Sequence, residues 1–127
     1  MNETDPTQLL RVRVRTDGPA PVVTAVGEID VLSAPLLERE IRRVLRDGSP
    51  TAVVDLSEVA FMGSAGLMVL SACASECAVP LRVVASPQVR RPLQVTGMDT
   101  MLRLHDTLAD AFTCLTPREA GGDASAG

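Results

Sequence analysis

The stretch at residues 53–70, VVDLSEVAFMGSAGLMVL, limits what this chain can become more than any other. An apolar run, VVDL, gives way to a polar kink, and a second apolar run opens after the four-residue hinge GSAG. A short apolar burst suits a strand buried on both faces of a parallel sheet, whereas a longer one after small residues suits a buried helix. A strand that passes straight into a helix is half of a βαβ unit. Such crossovers are right-handed and leave their strands parallel.

The remaining segments extend that pattern. LLRVRVRT (9–16) alternates apolar residues with Arg at period two, which predicts a strand with one wet face. DGPAP (17–21) is turn chemistry, and PVVTAVGEID (21–30) predicts a second strand, so the two form a hairpin. SAPLLEREIRRVLRDG (33–48) predicts a helix: Ser33 can cap it, Pro35 fits its first turn, and Gly48 ends it. Leu37, Ile41, Val44 and Leu45 make its apolar stripe, opposite Glu38 and four Arg. TAVVDL (51–56) is a buried strand, AGLMVLSACASECA (65–78) a helix with almost no polar face, and LRVVAS (81–86) another buried strand. PQVRRPLQVTG (87–97) predicts a helix kinked or delayed by Pro92, which lacks an N–H and crowds the Gln88 carbonyl. MLRLHD (101–106) and TLADAFTCL (107–115) close the pattern as a strand and a helix. The order is β-β-α-β-α-β-α-β-α, an α/β fold with a mixed, mostly parallel sheet and about four helices. One domain is expected over 9–116, with a polar lead-in over 1–8 and a disordered tail over 117–127.

Composition removes several classes of function. The 127 residues carry a formal charge of −4, and all twelve basic residues are Arg. With no basic stripe, two Phe and no Trp or Tyr, the chain lacks the charge and stacking platforms that nucleic acid requires. No apolar run reaches the length of a membrane span, and MNETDPTQ is polar rather than signal-like, so a cytoplasmic protein without a membrane partner is expected. Cys73, Cys77 and Cys114 are an odd number of thiols, and no second Cys or His pair has metal-finger spacing. Buried small thiols are expected, with no metal and no cofactor.

Ser64 in the hinge is the residue that asks for a role. A hydrolase elbow needs Gly two before and two after the serine; Gly66 fits, but Met62 stands at the first position. The only candidate base is His105, beside Asp106, and nothing in the pattern brings it near. No phosphate loop exists, because no Lys follows the glycines. Ser64 stands where a helix begins, and Ser is a preferred cap worth about 1 kcal/mol. The same place favours negative charge, so a phosphoryl group there would meet a favourable local field. Small neighbours, Gly63, Ala65 and Gly66, let another protein approach the backbone closely; alternatively they only relieve a tight turn. With Met62 and Met68, they make the expected partner-binding surface around Ser64.

The run DLSEVAFMGSAGL (55–67) resembles the signature of STAS-domain anti-sigma factor antagonists, approximately D-L-S-x-V-x-F-M-D-S-[STA]-G-L. VGEID (26–30) is similar to the family's G-E-[LI]-D, and 85–111 resembles its S-P-x-V-x-R-x-L-x-x-[ST]-G-L segment with the closing strand and helix. The resemblance spans roughly residues 9 to 115. It implies a regulatory switch rather than an enzyme. Unphosphorylated, such a protein binds an anti-sigma factor that is itself a serine protein kinase, and so frees a sigma factor for transcription. Phosphorylation of the serine after the motif's Asp releases it, and a phosphatase restores it. Carried over by position, the phosphoacceptor is Ser64, and Glu28 and Asp30 are the acidic residues bordering the partner surface. The chain departs from the pattern at Gly63, where the family has Asp.

The residues alone leave two other readings open. One keeps the fold but drops the switch, as a scaffold or decoy, and Gly63 speaks for it. The other is a small-ligand sensor, for which no phosphate loop or aromatic cage speaks. Oligomeric state stays open, since the apolar helix after Ser64 can be buried or can present Met68 at an interface.

Overall fold

The computed structural model describes residues 9–113 and 115; the expected lead-in, Cys114 and the expected tail lie outside the described residues. The elements follow the predicted order. They are β1 (Leu10–Arg15), β2 (Val22–Ile29), α1 (Ala34–Arg46), β3 (Val53–Met62), α2 (Ser64–Ala74), β4 (Leu81–Ala85), α3 (Pro87–Val95), β5 (Leu102–His105) and α4 (Leu108–Thr113), with a 3-10 turn at Met98–Thr100. The sheet runs β1-β2-β3-β4-β5, antiparallel only between β1 and β2.

Each helix follows from its apolar spacing. Ala34, Leu37, Ile41 and Val44 bury one stripe of α1 against the sheet, and Gly48, at φ +101°, lets the chain turn away. Glu40 is also buried there and pairs with Arg43 at 3.2 Å, which offsets part of its desolvation. Leu37, Ile41, Leu70, Val89 and Leu93, from α1, α2 and α3, fill one core with Val23, Val54, Leu56 and Val83 of the sheet. On the other face, a smaller core gathers Ala20, Val22, Val53, Val84 and Ala111 under α4.

Three local expectations change. Ser33 does not cap α1 with its hydroxyl; Oγ turns back to lie 3.0 Å from the Glu28 carbonyl and accepts the Asp30 N–H at 2.9 Å. Helix α3 begins on time at Pro87 and continues through Pro92, so the missing N–H costs one hydrogen bond without delaying the helix. Strand β3 does not stop at Leu56 but runs on to Met62. Its polar stretch keeps pairing with β2 through two register shifts, at Thr24/Val26 and Gly27/Glu28, while β4 pairs only with 53–56. The tip of β3 therefore projects past β4, with β2 as its strand neighbour and the Ser86 hydroxyl before α3 donating to the Val59 carbonyl at 3.1 Å.

Cys73 is fully buried and Cys77 partly so, both as free thiols; burial pushes Cys73 up to about 11 and raises Cys77 as well. Among the described residues no group of three or more His, Cys, Asp or Glu is arranged to hold a metal ion.

One glycine is indispensable to this sheet. Gly27 has φ +122°, at the second register shift between β2 and β3, and a Cβ built on it would lie 2.0 Å from the carbonyl oxygen of Leu9, the residue just before β1. The extra residue at this shift is Ala60 on β3, between Val59, the partner of Gly27, and Phe61, the partner of Glu28, and an insertion of this kind bends the strand that carries it. Gly27→Ala therefore combines backbone strain with a backbone clash and should lower stability by about 3 kcal/mol or more in urea unfolding. Gly48→Ala, strained at φ +101° but with open space around it, should lower it by only about 1–2 kcal/mol.

Candidate functional site

The site is built at the ends of β2 and β3. Ile29 and Met62 are partners in register, so residues 30–32 and 63–65 leave the sheet side by side. The Gly63 N–H donates to the Ile29 carbonyl at 2.9 Å and ties the two exits together. At the C-terminal edge of parallel strands, loops gather where a ligand or partner can reach them.

Gly63, not Ser64, is the N-cap of α2; Ser64 is the first residue of the helix and makes no side-chain cap bond. The sequence places a preferred capping residue one position too late. The Gly63 carbonyl accepts the N–H groups of Gly66 at 3.0 Å and Leu67 at 3.3 Å. Ser64 is exposed, and among the described residues its hydroxyl has no hydrogen-bond partner, at the positive end of the helix dipole. Gly63 has φ −85° and ψ −175°, ordinary extended backbone that any residue adopts. A Cβ there would meet the Phe61 ring at 3.4 Å and the Ile29 carbonyl oxygen at 3.8 Å, both ordinary contacts. Nothing in the backbone demands glycine at this position.

The other residues singled out by sequence divide into two groups. Glu28 and Met68 are exposed and Ala65 is half-buried, so all three are accessible at the surface; Ala65 and Met68 lie on α2 with Ser64. Met62 and Gly66 are not part of that surface. Met62 is buried, and Gly66 is the small residue that admits it: a Cβ on Gly66 would lie 2.5 Å from Met62 Cγ and 2.8 Å from Ile29 Cγ2. They support the site from beneath.

Asp30 is also committed to the fold. Its Oδ1 accepts the N–H groups of Leu32 and Ser33, each at 3.0 Å, and lies 3.0 Å from Ser33 Oγ. The Ser33 amide is the main reason its carboxyl is held below the ordinary value, with the Ser33 hydroxyl and the Leu32 amide adding to it. This turn lifts Val31 and Leu32 outward.

Val31 is 74% exposed, Leu32 57%, Phe61 52% and Met68 71%, so the β2 and β3 exits and the first turns of α2, the segments that carry Ser64, present large apolar side chains to solvent. Sequence reasoning missed Val31, Leu32 and Phe61 as surface residues. The available signal was a pair of branched apolar residues in a turn between Asp30 and Ser33, where polar side chains are usual. His105 is on β5, with β4 between it and β3. Its Nε2 is 3.0 Å from Arg82 Nη1, and burial, then the Arg82 charge, pushes the imidazole below its usual range. It takes no part in the chemistry of Ser64.

The family model for the STAS domain matches residues 11–111, and the chain belongs to that family. It is 42% identical over 95 residues to anti-sigma-F factor antagonist RsfB of Mycobacterium tuberculosis, covering 72% of this chain and 78% of the relative. The crystal structure of an anti-sigma factor antagonist from Mycobacterium paratuberculosis matches with TM-score 0.74 and 37% identity, over 82% of this chain and 92% of that one. The anti-sigma factor antagonist SpoIIAA in its unphosphorylated form shares the fold at TM-score 0.62 and 19% identity, over 80% and 93%. Within the STAS proteins, this chain is a member of the anti-sigma factor antagonists, regulatory binding proteins rather than enzymes. Among the described residues, no helix is long and apolar enough to cross a membrane.

Two measurements test the framework of the site. Gly66→Ala forces Met62 and Ile29 apart and should cost about 1–3 kcal/mol, more than the helix gains from losing a glycine. Asp30 gives a pH signature. A carboxyl whose folded value lies below its ordinary 3.8 stabilises the fold above that pH, and the stabilisation fades as pH falls through the folded value. The stability gap between wild type and Asp30→Asn, from urea midpoints, should therefore be widest near neutrality and close below pH 3.8.

Proposed function

We propose that this protein binds an anti-sigma factor through the exposed surface around Ser64, and that this anti-sigma factor is a serine protein kinase. Binding occupies the anti-sigma factor and frees a sigma factor for transcription. The kinase then transfers the γ-phosphoryl group of ATP to Ser64 Oγ, releasing ADP and the hydroxyl proton, and the phosphoprotein dissociates. A phosphatase returns it to the binding state, and the cycle runs in the cytoplasm. The observation that carries this reading is the exposed Ser64 at the first residue of α2, on segments that also expose Val31, Leu32, Phe61 and Met68.

The physics of release follows from that exposure. Apolar side chains that desert water on docking supply the attraction, at roughly 25 cal/mol per Å². A phosphoryl group adds about −1.5 to −2 charge to the same surface. Leaving water is strongly unfavourable for such a group unless it is paired, and the β2 segment beside the Ser64 turn brings carboxylates, Glu28 and Asp30, rather than cations. The helix N-terminus favours the phosphoserine in the free protein, which tilts the balance further towards dissociation.

The test is incubation with the cognate kinase and ATP, followed by mass spectrometry of wild type and Ser64→Ala. A single phosphate on wild type and none on Ser64→Ala is expected; efficient labelling of Ser64→Ala would sink the assignment. In calorimetry, Ser64→Asp should bind the anti-sigma factor at least about tenfold more weakly, a change of about 1.4 kcal/mol. A second reading keeps the docking surface and drops the switch, and Gly63 favours it by removing the carboxylate that stands beside the serine in the resembling motif. Because Gly63 has room for a side chain, Gly63→Asp separates the two. Faster labelling of Ser64 in Gly63→Asp supports the switch. A partner that binds tightly but never labels either form supports the constitutive binder.

A further inference from the structure

Strand β1 carries a second feature, remote from the chemistry of Ser64. Arg11, Arg13 and Arg15 alternate with Val12 and Val14, so three guanidinium groups stand on one face at a spacing of about 6.6 Å. They form one wall of an open groove of about 440 Å³ on the sheet face that α4 covers only in part. Asp55 and Glu58 form the opposite wall, on the same rungs: Arg13 pairs with Thr24 and Thr24 with Asp55, while Arg11 pairs with Val26 and Val26 with Glu58. Arg15 meets Asp17 at 3.6 Å in solvent, but among the described residues Arg11 and Arg13 have no carboxylate within ion-pair distance.

β1 is also an edge strand, with β2 on one side only among the described residues. An anion inside the groove would face the carboxylates of Asp55 and Glu58, which oppose it. The complement to Arg11 and Arg13 comes instead from outside the edge, since no carboxylate among the described residues pairs with either of them. A second copy pairing there, with like faces of the sheet continuous, would set Arg against Arg. Val14 is 36% exposed on the opposite face, next to half-buried Val12, and offers apolar contact to the alternate side chains of an incoming strand.

We propose that the free edge of β1 accepts an extended, acidic segment of a partner protein by strand addition, with acidic residues at i, i+2 and i+4 against Arg15, Arg13 and Arg11 in either direction. Apolar residues at i+1 and i+3 pack beside Val12 and Val14. Backbone hydrogen bonds supply the attachment, and cross-strand charge pairs choose the sequence. The same Arg row protects the edge from association with its own kind.

The experiment is an NMR titration of the isotope-labelled protein with three acetylated, amidated probes: Asp-Val-Asp-Val-Asp, its block permutation Asp-Asp-Asp-Val-Val, and Arg-Val-Arg-Val-Arg. Saturable shifts of the amides of residues 10–15 are expected with the first. Binding should be at least about tenfold weaker with the other two, and weaker for all in high salt. Combined Arg11→Glu and Arg13→Glu should transfer the preference to the basic probe. Equal binding of the acidic and basic probes to wild type, equal binding of the permuted probe, or no saturable shift along β1 would each overturn the proposal. The comparison of probes on wild type decides even if the double variant fails to fold.

Discussion

The parallel pairing of β2 with β3 is the interaction on which the rest of this molecule depends. It begins in the buried centre at Val22 and Val53 and continues through two register shifts to Ile29 and Met62, past the reach of β4. The Gly63 N–H on the Ile29 carbonyl closes it. Because the two strands end level, the turn that starts α1 and the turn that starts α2 emerge together. Without that pairing, Ser64 and the Val31–Leu32 turn would belong to unrelated parts of the surface. Gly27 and Gly66 serve the same pairing from two sides. Gly27 adopts a positive φ where a Cβ would strike Leu9, and Gly66 leaves room for Met62 and Ile29 under the helix.

The site divides its labour between surface and support. Asp30 spends its Oδ1 on the backbone of the turn, and Met62 is an internal strut. Val31, Leu32, Phe61 and Met68 are exposed apolar side chains on the segments that carry the exposed Ser64. Such a surface is well suited to a binary switch, because the largest change one modification can make to an apolar surface is to charge it. The residue before the serine then matters for how fast the switch is set rather than for the fold, since Gly63 sits in backbone that any residue adopts.

Much of the fold was legible in the chain. The alternation of Arg with Val predicted β1, the spacing of Leu37, Ile41 and Val44 predicted α1, and the apolar bursts predicted β3, β4 and the helix between them. Elements ended where local chemistry is decisive, as at Gly48. Errors arose where a distant partner decided. The polar run after Leu56 looks like a loop, yet it is strand because β2 lies alongside it. Ser64 looks like a cap, yet the Gly63 carbonyl, held by Ile29, takes the first helical bonds. Ser33 looks like a cap, yet its hydroxyl is turned back towards Glu28 and Asp30.

By itself, then, the chain determined the order of elements, the phase of each apolar stripe and the identity of the one reactive-looking hydroxyl, because these depend on neighbours within a few residues. Only the tertiary structure decided which side of the motif faces out. Met62 turns inward and Phe61 outward through the register of β3 on β2, and the Asp30 turn raises Val31 and Leu32 beside them. Register between strands separated by a helix is set by packing of the whole sheet, and no spacing within either strand records it.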